Sequence, residues 1–152
     1  MLKQVQHDEK KNKMEIKLKR LNKNYNLEAT GTNGRTVSID AGPQDGGDDL
    51  GVRPMQMLLM GLGGCASIDV ISILKKQRQD VEDYEVVVTA EREKDKIPSL
   101  FTDIHIKFIL TGKIENDKLE HAIKLSLDKY CSVAKTLEKT ATITYSYTIN
   151  GK

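Results

Sequence analysis

Two cysteines, Cys65 and Cys131, are the residues of this chain best suited to covalent chemistry, because a thiolate is a nucleophile that can be oxidised and reduced again. Two readings of them stand side by side: small buried hydrophobes, the common fate of an unpaired cysteine, or a redox pair that cycles. Asp69 follows Cys65 by four positions and so shares its face in an apolar, helical segment. A bare carboxylate there would raise the thiol pKa, so Asp69 needs either a neutralising arginine or a polar gap in which it bonds backbone groups across a subunit interface.

Other motifs promise less. Gly61-Leu62-Gly63-Gly64-Cys65-Ala66 fits G-x-G-x-x-A, with Asp80 or Glu82 near the distance of a ribose-binding acid. That fingerprint requires a strand directly before it and a repeated βαβ pattern, whereas here a proline-led apolar helix precedes and a hairpin follows. Gly31-Thr32-Asn33-Gly34 has the spacing of an RNA-binding KH loop, but it joins two alternating segments and therefore reads as a hairpin turn. His7, His105 and His121 give no metal-ligand spacing and read as surface residues, His105 beside Asp103 and Lys107 on the polar side of its strand. No metal and no other cofactor is expected.

These residues sit in a chain of 152, of which 38% are hydrophobic and 30% charged, the profile of one globular domain. A chain of this length removes roughly 70% of its unfolded surface from water, so neither metal nor disulfide is needed merely to fold. The net charge of +2, from 24 basic and 22 acidic side chains, argues against a nucleic-acid binder. Basic excess is local, with Lys3, Lys10, Lys11, Lys13, Lys17, Lys19, Arg20 and Lys23 against Asp8, Glu9 and Glu15. Residues 1–13 read as a charged, solvated arm and residues 14–152 as the domain. No apolar stretch opens the chain, and no uninterrupted run reaches the roughly 18 apolar residues of a membrane span. A cytoplasmic protein without membrane contact is expected, its thiols in a reducing compartment.

Alternation of Met14, Ile16 and Leu18 with charged neighbours, then of Tyr25 to Ala29 and Thr36 to Asp40, predicts an antiparallel meander. The turn-rich segment from Ala41 to Gly51 predicts a surface loop. Pro54 suits the first position of a helix, and Met55 to Leu74 are apolar on nearly every side, so this helix must be covered all round by a sheet and by a second helix or subunit. Gly61, Gly63 and Gly64 predict a kink or a close backbone approach. Tyr84 to Glu91 and Thr102 to Leu110 predict a hairpin about a turn at Ile97, Pro98 and Ser99. A second helix, capped at Asn116 or Asp117, runs through Leu119, Ala122, Ile123, Ser126, Leu127 and Tyr130, and Thr140 to Ile149 forms a last strand. The order is βββ-α-ββ-α-β, an α+β domain of antiparallel sheets around a long central helix.

The run from Pro54 to Cys65 with Ile68-Asp69-Val70 beyond it, then Tyr130-Cys131-Ser132-Val133 before Ile143-Thr144-Tyr145, resembles the OsmC/Ohr family over nearly the whole chain after about residue 14. The resemblance implies an intertwined α+β homodimer that reduces organic hydroperoxides with a cysteine pair, in a family many of whose members are linked to osmotic or oxidative stress. It puts Cys65 in the place of the peroxidatic thiol and Cys131 in that of the resolving thiol, with an external dithiol as reductant. It also implies an arginine from the early strands held by a glutamate. Arg35 fits the arginine better than Arg53, while Met55 and Gln56 stand where the glutamate would be, so the fixed ion pair is missing.

A thiol of pKa about 8.5 is only ~3% ionised at neutral pH, and lowering the pKa to about 6 raises that fraction some thirtyfold but loses about tenfold in nucleophilicity. Such a site must therefore also stabilise the departing alkoxide with an aimed cation or donor. The alternative, favoured by the missing glutamate, is a non-enzymatic relative that binds a small apolar ligand or senses oxidation.

Overall fold

The structure, a computed structural model, describes residues 13–152. The expected arm lies, apart from Lys13, outside the described residues, as does His7. Two compact units make up the chain, one ending at Met57 and the other comprising Leu58–Lys152.

In the first unit β1 (Lys17–Arg20), β2 (Leu27–Thr30) and β3 (Thr36–Ile39) form the expected antiparallel meander, with Leu18 opposite Ala29 and Ala29 opposite Val37. Met14 and Ile16, expected within the first strand, precede it and are exposed. The β2–β3 connection is a hairpin turn: Gly31 N–H donates to the Arg35 carbonyl at 2.8 Å and Gly34 N–H to the Gly31 carbonyl at 3.0 Å. Gly34 has φ of 81°, a left-handed conformation that glycine adopts without a steric penalty. The segment after β3 contains a 3-10 turn, Pro43–Asp45. Its two ends are tied by the buried Asp40, whose carboxylate accepts from Ala41 N–H at 2.7 Å and Leu50 N–H at 3.1 Å. Charge-assisted bonds of this kind satisfy a carboxylate that burial would otherwise penalise.

The long helix α1 (Pro54–Lys76) begins at the proline as expected. Gln56 reaches back so that its side-chain oxygen accepts the Arg53 N–H at 3.1 Å, half of a capping box, and Lys75 and Lys76 complement the negative C-terminal end. Then follow β4 (Asp80–Arg92), β5 (Phe101–Lys113), α2 (Asn116–Leu125), a π-helical turn (Ser126–Tyr130), α3 (Ser132–Leu137) and β6 (Thr142–Ile149). Strands β4 and β5 are the expected hairpin, with Val86 opposite Phe108. Strand β6, however, pairs with β5 in parallel, Ile106 opposite Tyr145, so the second sheet is mixed rather than antiparallel. The helical crossover between them returns the chain to the end where β5 began, which a tight turn cannot do. The cap of α2 also differs from expectation. It is Glu115, with no side-chain cap bond, and its N–H is taken by the Gln79 side chain at 2.9 Å.

The core of this unit joins Leu62, Ala66, Val70 and Leu74 of α1, Ile104, Ile106, Phe108 and Leu110 of β5, and Leu119, Ala122 and Ile123 of α2. Each large side chain sealed this way contributes roughly 1.5–3 kcal/mol. By length and composition alone α1 is apolar enough to cross a membrane. Its contacts with β4 instead place it against the sheet: a Cβ on Gly63 would lie 3.2 Å from Val88 Cγ2, and Tyr84 Oη donates to Ser67 Oγ at 2.8 Å. The helix runs unbroken through its glycines, and the expected close approach is found at Gly63. Within one chain only one stripe of α1 is buried. Leu58, Met60 and Ile68 are 43%, 54% and 72% exposed.

Candidate functional site

Helix α1 carries Cys65 and Asp69 one turn apart, both half-buried. Facing them is the end of α2, where the chain widens into the π turn before Cys131 leaves helical geometry at φ −75°, ψ 102° and caps α3. The Cys131 N–H donates to the Ser126 carbonyl at 2.7 Å, the bond that closes the π turn. Its sulfur accepts the Ala134 N–H at 3.3 Å and is fully buried.

Both cysteines are free, and their sulfurs and a carboxylate oxygen of Asp69 all lie within 4.8 Å of one another. The long-range juxtaposition is therefore a feature of the second unit alone. Closing the sulfurs to a bond of about 2.05 Å would require side-chain rotation and a local backbone adjustment.

Among the described residues Asp69 is met by a side chain: the buried Ser126 hydroxyl donates to its Oδ2 at 2.9 Å. Ser126 is the functional residue that the sequence reading treated as one more position on an apolar helix face. A lone hydroxyl among Leu119, Ala122, Ile123 and Leu127 was the available signal, since a buried hydroxyl needs a partner. Burial pushes the Cys131 thiol up to about 11; the Ala134 N–H opposes this, while Cys65 and the Asp69 charge add to it. Burial thus favours the neutral form of the Cys131 thiol.

Beside this corner a cleft of about 690 Å³ is lined by Asp69, Ile73, Lys76, Gln77 and Tyr130. Leu62, three residues before Cys65, is wholly in the core.

Arg35, Arg53 and Gln56 belong to the first unit. Arg35 is exposed just after the hairpin turn. The Arg53 guanidinium is engaged, pairing with Asp49 at 2.6 Å and donating to the Gly51 carbonyl at 2.9 Å. Gln56 holds Arg53 by its main chain, not by its charge. His105 lies half-exposed on the polar side of its strand, as expected, and its ring bridges Thr144 and Ser146 of β6, both at 2.8 Å.

Comparison with known proteins bears on this arrangement. A family model described as OsmC-like protein matches residues 46–146. Protein YhfA of Escherichia coli K12 is 50% identical over 102 residues, 66% of this chain and 75% of YhfA. A solved structure of a hypothetical protein from Aquifex aeolicus VF5 is 30% identical with a TM-score of 0.76, covering 91% of this chain and 98% of its own. An organic hydroperoxide resistance protein OsmC from Legionella pneumophila shares the fold, with a TM-score of 0.68 at 13% identity over 90% of this chain and 96% of its own.

Proposed function

The chain belongs to the OsmC-like protein family, and from that premise we propose that it is a cysteine-based thiol peroxidase for organic hydroperoxides. The observation that carries this reading is the meeting of Cys65, Asp69 and Cys131 within 4.8 Å. A solved structure named as an organic hydroperoxide resistance protein has the same fold, which supports the reaction class.

In the proposed cycle the Cys65 thiolate attacks the distal peroxide oxygen; the O–O bond breaks, the alkoxide takes a proton and leaves as alcohol, and Cys65 becomes a sulfenic acid. Cys131 then attacks that sulfur. Its thiol proton passes to Asp69 and on to the departing hydroxide, so water leaves as the disulfide forms. Ser126 holds Asp69 in place for this transfer. An external dithiol reduces the disulfide and is itself oxidised, returning both thiols. For the cation that steadies the leaving alkoxide we assign Arg35, because the Arg53 guanidinium is already occupied by Asp49 and Gly51.

A cycling pair needs a reducing compartment, and the cytoplasm is proposed on that ground. We also propose a homodimer, in which a second copy covers Leu58, Met60 and Ile68 of α1.

Cys65→Ser should abolish hydroperoxide consumption with a dithiol reductant; unchanged turnover would discard the assignment. The second reading, ligand binding or oxidation sensing, is favoured by Met55 at the position of the family's glutamate and by the use of Gln56 as a helix cap. Mass spectrometry after one equivalent of cumene hydroperoxide separates the cases. Rapid formation of the Cys65–Cys131 disulfide fits catalysis or sensing, slow overoxidation fits ligand binding, and turnover then divides enzyme from sensor.

A further inference from the structure

The geometry points to a second use of the reduced site: Cys65, Cys131 and Asp69 form a three-donor site for a thiophilic divalent cation of the zinc class. Their donor atoms lie within 4.8 Å of one another. A tetrahedral zinc with Zn–S near 2.3 Å and Zn–O near 2.0–2.2 Å holds its donors about 3.5–3.8 Å apart, so the three must draw in by about 1.3 Å at most. Thiolate donors select zinc-like ions over magnesium or calcium, which prefer oxygen throughout.

What distinguishes this corner from a chance gathering of donors is the support around it. Ser126 Oγ engages Asp69 Oδ2 at 2.9 Å, which leaves the other carboxylate oxygen for the ion. The Ala134 N–H is aimed at the Cys131 sulfur at 3.3 Å, a bond that a metal-bound thiolate keeps. Outer hydrogen bonds of this kind orient metal ligands and raise affinity. Cys65 and Asp69 are only half-buried, so an ion has access, and three protein donors leave a fourth position for water.

Binding displaces one proton from each thiol to solvent and changes no oxidation state. It occupies the sulfur that the proposed peroxidase uses, so the ion and the peroxide exclude one another, and the disulfide form has no site. Histidine spacing gives no sign of this site, because its donors are cysteines and an aspartate from elements distant in the chain.

The probe is Co²⁺ added anaerobically to the reduced, full-length protein. One equivalent should produce a sulfur-to-cobalt charge-transfer band with tetrahedral visible bands, and one equivalent of Zn²⁺ should remove them. Cys65→Ser and Cys131→Ser should each lose about half of the charge-transfer intensity. Asp69→Asn, close in shape, should keep the two-sulfur band but bind at least about 100-fold more weakly, since even outer-sphere partners are worth ~10–100-fold. Circular dichroism checks that each variant folds. A cobalt spectrum unchanged in Cys65→Ser, or no charge-transfer band in wild-type protein whose thiols both titrate as free, overturns the proposal. Because the readout is spectroscopic, a band without peroxide turnover counts against the peroxidase alone, and turnover without a band counts against the metal site alone.

Discussion

Ser126 Oγ donates to Asp69 Oδ2 at 2.9 Å, joining the π turn after α2 to the middle of α1. Through its carbonyl the same serine also accepts the Cys131 N–H at 2.7 Å. One residue thereby fixes both the carboxylate and the buried thiol relative to Cys65.

Ser126→Ala should leave Asp69 without that donor in a partly dry site and destabilise the protein by about 1–3 kcal/mol in urea unfolding. It should also slow closure of the Cys65–Cys131 disulfide after a peroxide pulse, while formation of the Cys65 sulfenic acid, trapped by dimedone, keeps its rate. Equal loss of both steps would mean that Ser126 acts only through the fold.

Tyr84 gives an alkaline signature. Burial raises its phenol from 10.0 to about 12, against the smaller opposing effect of the bond with Ser67. A raised pKa stabilises the fold while the phenol is neutral, so this contribution is full below pH 10 and is lost as pH rises through about 12. The ring is partly exposed, which limits the effect to about 1–2 kcal/mol. Tyr145 and Tyr147, raised mainly by burial, decline in the same direction. The difference between wild type and Tyr84→Phe in denaturant midpoints across pH 9 to 12 isolates Tyr84; a constant difference across that range would contradict it.

Gly63 tests the approach of helix to sheet. Gly63→Leu must place a side chain where a Cβ already meets Val88 at 3.2 Å, and overpacking of this kind costs about 1–3 kcal/mol. Gly61→Ala, whose Cβ meets nothing within 4 Å, is the control, and helix propensity should leave it neutral or up to ~1 kcal/mol more stable in a monomeric chain. Thermal melts of the two variants decide the matter.

Ile68→Asp probes the open face of α1, where Ile68 is 72% exposed in the single chain. With a second copy seated there, a charge placed in the contact should convert a dimer to monomer in sedimentation velocity at ~10 μM, by a penalty of several kcal/mol for burying it. A wild-type protein that sediments as a stable monomer removes the dimer proposal.

Much of the architecture was legible because it is written in local periodicity. The start of α1 follows from Pro54, the hairpin turn from Gly31 to Gly34, and the β4–β5 hairpin from alternation around Pro98. The direction of β6 was not legible, since an alternating strand reads the same whether its partner runs parallel or antiparallel. Nor was the break of the second helix: nothing in Ser-Leu-Asp-Lys-Tyr forbids an α-helix, and the wider turn is set by the bonds that Ser126 and Cys131 make to each other and to their surroundings. The hydrogen bonds of His105 were not legible for a related reason, because its partners Thr144 and Ser146 arrive from another strand.

By itself the sequence determined the periodic elements, the apolar character of α1, and the presence of two thiols with a carboxylate one turn from the first. Only the tertiary structure decided that the second thiol meets that turn, that a serine hydroxyl binds Asp69, and that Cys131 is sealed from water while Cys65 is not. Periodicity encodes which face of an element turns inward; which donors then confront one another depends on how separate elements pack, a property that no single stretch of chain contains.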